Sequence, residues 1–245
     1  MGRHGQQSEF LLDQFCSLLW SRIVLIRTIK MVGVVTVPSG VALFFFGPMM
    51  TEALYFGISL EDSRYIGQVL SALSLGLVAF SINLILIRGF YAFEDTRTQV
   101  ISILIINIIS VVLSYLSLEF LDSQDVTIGL GVAFSVSYIA GLFVTLSLLK
   151  KHTGKLAFST FAGHHAKLYL SSILAMAPLF ALVYFFEWES ADSSLILRAL
   201  RLGLILALSG ALYLLFTKLF RVAEIATLAE FGRGLFKKRK GRLDP

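Results

Sequence analysis

The chain has 245 residues, of which 56% are hydrophobic and only 15% are charged, and its formal net charge is +5. Soluble globular domains usually carry about 25% charged residues, so this composition excludes an ordinary soluble domain and predicts an integral membrane protein. The single cysteine, Cys16, excludes a disulfide framework and a cysteine-based metal site within the chain.

The N-terminal segment, residues 1–30, lacks a short apolar core followed by a small-residue cleavage site, so we expect no signal peptide. From residue 9 onward apolar side chains recur at helical spacing, and Trp20 suits the headgroup region of a membrane. Two interpretations remain open: an interfacial amphipathic helix, or an N-terminal extension of the first membrane span. The apolar side chains are Leu12, Phe15, Leu19, Ile23 and Ile26.

Six later segments are long and apolar enough to cross a membrane, which takes roughly 20 residues of helix. They lie near 31–56, 66–88, 99–118, 127–149, 167–186 and 198–219. The sequence therefore predicts an all-α, polytopic membrane helix bundle of about six transmembrane helices, which occupies residues 31–220.

Lysine and arginine are distributed unevenly over the connections between these spans. The side that holds both termini carries 18 of them, and the other side carries 3. Because cytoplasmic connections are enriched in basic residues, we expect both termini to be cytoplasmic. Residues 221–245 are then a basic cytoplasmic tail, which we interpret as a topology determinant that contacts anionic lipids and not as a nucleic-acid site.

The predicted spans contain few polar groups. None has Asp or Glu in its middle, which argues against a proton relay of buried carboxylates. Pro38 and Pro178 predict bends in the first and fifth spans, and we interpret Asn83 as a residue that hydrogen-bonds between helices. Small residues every four positions in the fourth span predict close helix packing, in either a rocking or a static bundle. They are Gly129, Ala133, Ser137 and Gly141.

Catalytic and metal sites are poorly supported, so we predict neither an enzyme nor a bound cofactor or metal. His164 and His165 are adjacent, point in different directions if helical, and are interpreted as satisfied or solvated loop histidines. Arg88 ends the second span, where it either snorkels to the interface or lines a cavity. Arg201 lies similarly near the other side of the membrane.

Residues 88–99 read RGFYAFEDTRTQ, and Asp95 or Thr96 suits the start of the helix that follows. The stretch resembles the pattern R-x-FYA-x-x-DT-[RK]-T of the MurJ/MviN family, which belongs to the multidrug/oligosaccharidyl-lipid/polysaccharide exporter superfamily. The residues that carry this resemblance are Arg88, Phe90, Tyr91, Ala92, Asp95, Thr96, Arg97 and Thr98.

The resemblance implies a fold like the second lobe of a MurJ-type transporter. It implies a part in flipping lipid II, the undecaprenyl-pyrophosphate-linked muropeptide, across the bacterial cytoplasmic membrane by alternating access. The first lobe would be supplied by the same or a second chain. Some relatives have a cavity arginine near Gln68, and some bind sodium through carboxylates that the spans lack here. The candidates for a substrate cavity are Arg88, Arg97, Arg201, Gln68 and Asn83.

Two alternatives remain open. The chain could be half of a related polysaccharide or drug exporter. It could also be a non-transporting membrane scaffold in cell-wall or division assembly.

Overall fold

The computed structural model describes residues 3–55, 57–153, 158–185, 195–222 and 224, with side chains from residue 23 onward except at 92, 151–153, 158–160 and 195. These residues form seven helices and no strand, which confirms the all-α prediction. The helices are α1 (Arg3–Leu54), α2 (Leu60–Ser74), α3 (Leu77–Ala92), α4 (Thr96–Phe120), α5 (Val126–Thr153), α6 (Phe158–Phe185) and α7 (Leu195–Leu219).

The prediction of about six membrane spans is confirmed. Five helices are each long and apolar enough to cross a membrane, and α2 with α3 forms a sixth candidate, a pair bent by 47°. The prediction of one continuous helix over 66–88 is wrong, because the helix breaks between Ser74 and Leu77. The apolar run continues through the break, so composition alone does not reveal it.

Helix α1 runs without interruption from Arg3 to Leu54. The helix predicted over residues 9–30 is therefore confirmed and is continuous with the first span. Pro38 lies inside α1 and Pro178 inside α6, as predicted.

Successive spans run in alternating directions, because short connections join them. Helix α1 occupies the middle of the bundle and packs against α2, α3, α6 and α7, whereas α4 packs mainly against α5. We call the end of the bundle where α3 ends and α4 begins the motif end, and the other end the opposite end. The side chains with no exposed surface include Ile29, Val37, Phe46, Leu86, Phe90, Leu149 and Leu168.

The small residues of α5 allow the close packing that the sequence predicts. A methyl group added at Gly141 would overlap the side chain of Ile106 on α4, and one at Gly129 would overlap Leu121 beyond the end of α4. Ala133 and Ser137 are both buried. This ridge therefore fixes α4 against α5 at van der Waals distance.

Candidate functional site

The stretch RGFYAFEDTRTQ forms the turn between α3 and α4. Its backbone follows a Schellman motif: Glu94 N donates to Tyr91 O at 3.1 Å, and Asp95 N donates to Phe90 O at 3.1 Å. Glu94 takes the left-handed conformation that this motif requires, with φ at 54°. Phe90 is fully buried, so the turn is anchored in the core of the bundle.

The same turn begins α4. Asp95 is its N-cap, and the Oδ1 atom of Asp95 accepts a hydrogen bond from Thr98 N at 3.0 Å. This confirms Asp95 as the capping residue, one of the two predicted from the sequence. Across the turn, Gln99 Nε2 donates to the hydroxyl of Tyr91 at 2.9 Å. The family motif is therefore, in large part, a set of residues that builds one rigid turn.

Two arginines of the motif lie on either side of this turn. Arg88, in the last turns of α3, and Arg97, in the first turn of α4, are both exposed. Between them, Gly89 faces the side chains of Leu25 on α1 and Leu149 on α5. The turn therefore holds two guanidinium groups at the surface of the motif end while its other face packs inward.

The remaining cavity candidates do not join these arginines. Gln68 is exposed on α2, 20 positions before Arg88 along the broken span, which is on the order of 25–30 Å at the helical rise. Arg201 borders a small apolar pocket near the opposite end, beside Met49 of α1 and Val183 of α6. The five candidates are thus divided between the two ends and the interior.

Asn83 is the interior candidate, with 1% of its surface exposed. Its Nδ2 atom donates to Ala79 O at 3.0 Å and to Tyr138 O on α5 at 3.1 Å. The interpretation of Asn83 as a residue that hydrogen-bonds between helices is confirmed.

The break between α2 and α3 contains a contact that the sequence did not predict. Gly76 N donates to Ser135 Oγ at 2.9 Å, and this hydroxyl donates to Ala72 O at 2.7 Å. Ser135 of α5 thus bridges a donor and an acceptor that a continuous α-helix would join directly, and Gly76 N also donates to Leu73 O at 3.2 Å. The glycine is required by space, since a methyl group at Gly76 would lie 2.6 Å from Ser135 Cα.

A second missed arrangement lies at the motif end, where Lys30 of α1, His164 of α6 and Glu224 meet. Lys30 Nζ lies 3.5 Å from Glu224 Oε1, and His164 Nδ1 lies 3.4 Å from Glu224 Oε2. We call these three residues the end cluster. The interpretation of His164 and His165 as loop histidines is wrong, because both are buried on α6.

A backbone motif brings Glu224 into the end cluster. After α7, Arg221 N donates to Lys218 O and Val222 N donates to Thr217 O, each at 3.0 Å. This is a second Schellman motif, with Arg221 in the left-handed conformation at φ 52°. The chain turns back on itself, so that Val222 is buried and Glu224 reaches α1 and α6. Residues 225–245, which include most of the predicted basic tail, lie outside the described residues.

Within the described ranges no three His, Cys, Asp or Glu side chains are grouped closely enough to hold a metal ion. The polar groups described above can do three things. The exposed arginines at the motif end can bind an anion, the hydroxyl of Ser135 joins helices, and the end cluster can bind a proton.

Comparisons with known proteins agree with the motif. The family described as "Lipid II flippase MurJ" matches residues 21–199. A probable lipid II flippase MurJ from Rhizobium tropici is 27% identical over 219 residues, which cover 87% of this chain and 39% of that protein. A solved structure of lipid II flippase MurJ in an inward closed conformation matches with a TM-score of 0.59 and 19% identity, over 86% of this chain and 44% of that chain.

The solved structure shows the likeness of the fold, and the coverage shows that this chain spans less than half the length of either relative, as one lobe would. With the family match extending over most of the chain, the chain belongs to the lipid II flippase MurJ family.

Proposed function

We propose that the chain forms one lobe of a lipid II flippase, in which Arg88 and Arg97 attract the pyrophosphate of the lipid-linked muropeptide. The observation that supports this most directly is the capped turn between α3 and α4. It holds both guanidinium groups in the exposed position that an anionic ligand requires, and it lies within the matched family region.

The physical need for such a protein follows from the substrate. Its sugars and pyrophosphate would lose their hydration in roughly 30 Å of hydrocarbon, and nothing in the lipid replaces the lost hydrogen bonds. A cationic cavity between two lobes, open to each side of the membrane in turn, supplies those interactions. Guanidinium groups suit this role because they bind phosphate oxygens with paired hydrogen bonds.

One lobe does not enclose such a cavity. The relatives are more than twice as long as the part of them that this chain matches, which supports a second lobe in the same polypeptide or in a second chain. The apolar spans and the excess of basic residues on one side of the sequence support a multi-pass location in the cytoplasmic membrane. In that orientation both termini and the motif end face the cytoplasm.

The first experiment determines the mass of the native polypeptide, and of anything that co-purifies with it in mild detergent. The purified assembly is then placed in vesicles with labelled lipid II, and the initial rate of translocation is measured. Charge-assisted hydrogen bonds contribute about 1.5–3 kcal/mol, so we expect Arg88→Ala or Arg97→Ala to slow translocation roughly tenfold or more.

The matched control is Arg221→Gly, which removes a cation from the same end and keeps the left-handed backbone of its turn. Equal rates for Arg88→Ala, Arg97→Ala and the unmodified assembly would contradict the proposed role of the turn. A growth defect on deletion of the chain, with normal growth of the Arg88→Ala strain, would favour the scaffold function instead.

A further inference from the structure

The end cluster joins three parts of the chain that are far apart in sequence. Lys30 lies on α1, His164 lies on α6, and Glu224 follows the turn after α7. The side chain of His164 is 7% exposed. The family motif does not include these residues, and the proposed role of Arg88 and Arg97 does not use them.

The hydrogen-bond geometry of His164 is unusual, because both of its ring nitrogens face oxygen atoms. Nε2 lies 3.2 Å from the backbone carbonyl oxygen of Lys30, and Nδ1 lies 3.4 Å from the carboxylate of Glu224. A neutral imidazole has one N–H and one lone pair. In that state, one nitrogen would direct its lone pair at an oxygen atom that also carries lone pairs.

We propose that the end cluster is a proton-binding site, and that the bound proton fastens the chain after α7 to α6. One added proton on the imidazole supplies the missing donor, because both ring nitrogens of the protonated ring carry an N–H.

Burial and the charges around His164 act on this proton in opposite directions. Burial of the ring opposes a further positive charge on it, and so do Lys30 from α1 and Lys167 from α6, whereas the carboxylate of Glu224 favours one. The ring of His165 lies 5.6 Å away. Among the described side chains, Glu224, from the chain after α7, is the carboxylate that faces these groups. Removing Glu224 from its place therefore removes the group that retains the proton, and losing the proton weakens the hold on Glu224.

The consequence of proton loss is local. The contact between Lys30 and Glu224 does not involve this proton, whereas the contact with α6 does. Val222 is buried just before Glu224, so we expect separation of the segment from α6 to expose it. The segment leads directly to a sequence that contains Lys237, Lys238, Arg239 and Lys240. The proton therefore controls how firmly the start of this basic segment is attached to the bundle.

This inference does not depend on the identity of the transported substrate, so its test needs no lipid II. In a Cys16→Ser background, which removes the single native cysteine, Val222→Cys is reacted with a small maleimide in nanodiscs. The control is Lys218→Cys, an exposed position in the last turn of α7. The ratio of the two rates removes the effect of pH that both thiols share, and the Glu224→Gln variant, in which Val222→Cys should stay buried, measures the effect of burial on the thiol itself. We expect this ratio to rise several-fold between acidic and alkaline pH.

Variants of the cluster separate proton binding from simple packing. Glu224→Ala should give a high ratio at every pH, and so should His164→Phe. Glu224→Gln should give a low ratio at every pH, because its amide can donate to the neutral ring. His165→Gln, which changes the neighbouring buried ring, should keep the pH dependence. A ratio that is the same across the pH range in the otherwise unmodified chain would overturn the proposal, as would pH dependence that survives in Glu224→Ala.

Discussion

Two interruptions of helical structure, the break at Gly76 and the turn at Arg221, are stabilised by different chemistry. At Gly76 a single neutral hydroxyl, that of Ser135, hydrogen-bonds both sides of the break. At Arg221 the turn is closed by backbone hydrogen bonds to the carbonyl oxygens of Lys218 and Thr217. The chain beyond the turn contacts the charged groups of the end cluster.

The difference shows which part of the bundle can respond to its surroundings. A serine hydroxyl does not titrate in the physiological range, so the break at Gly76 keeps the same bonds at any pH and is insensitive to screening by salt. The end cluster gains or loses a charge with its proton and lies where water reaches Lys30 and Glu224. The first interruption is therefore a fixed bend in a membrane span, whereas the second is a conditional attachment.

The largest loss of stability is expected for Gly76→Ala at the fixed bend. The added methyl group would lie 2.6 Å from Ser135 Cα and 2.9 Å from its Oγ atom, so α5 must move and the hydrogen bond is lost. Overpacking of this kind costs roughly 1–3 kcal/mol, to which the lost hydrogen bond adds. The measurement is the free energy of unfolding in mixed micelles.

Gly210→Ala is the matched control for this substitution. Gly210 lies inside α7 with nothing within 4 Å of the added methyl group, so alanine should stabilise the helix by about 0.5–1 kcal/mol. The two substitutions should change stability in opposite directions. A destabilisation by Gly76→Ala no larger than the change at Gly210 would show that α2 and α3 do not approach Ser135 as closely as described.

A smaller effect is expected for Ser135→Ala. The substitution removes the hydroxyl that bonds Ala72 O, whereas Gly76 N keeps Leu73 O as an acceptor at 3.2 Å. An unsatisfied buried group costs about 1–3 kcal/mol in water-soluble proteins, with lower values for hydrogen bonds between membrane helices. We expect a loss of about 1–2 kcal/mol that does not change with pH. Unfolding measured at acidic and alkaline pH tests both statements.

Ser137→Ala separates the cross-helix bond from the loss of a buried hydroxyl. Ser137 is on the same helix and fully buried, but its hydroxyl donates only to Phe134 O on its own helix. This substitution should cost well under half as much as Ser135→Ala. Equal losses at the two positions would mean that Ser135 contributes nothing specific to the break.

The sequence predicted what depends on local composition. Apolar runs of about 20 residues were recognisable as helices because a helix satisfies all its backbone hydrogen bonds within one such segment. Asp95 was recognisable as a cap because its partner is three residues away. The break at Gly76 was missed because its partner, Ser135, lies 59 positions away. The burial of His164 was missed for the same reason, since its carbonyl partner belongs to Lys30, 134 positions away.

The smallest expected effect concerns the backbone of the turn at Arg221 itself. Non-glycine residues adopt the left-handed conformation at a cost of about 1–2 kcal/mol, and glycine is the usual residue at this position of a Schellman motif. Arg221→Gly should therefore stabilise the chain by no more than about 1 kcal/mol, because glycine also loses more entropy on folding. Glu94 has nearly the same φ in the turn between α3 and α4, so Glu94→Gly should have a similar effect.

If Arg221→Gly stabilises while the pH-dependent exposure of Val222→Cys persists, the turn sets the direction of the chain and the end cluster alone sets its attachment. If the pH dependence disappears in Arg221→Gly, the turn itself takes part in the response, and the division between a rigid backbone turn and a titrating contact fails.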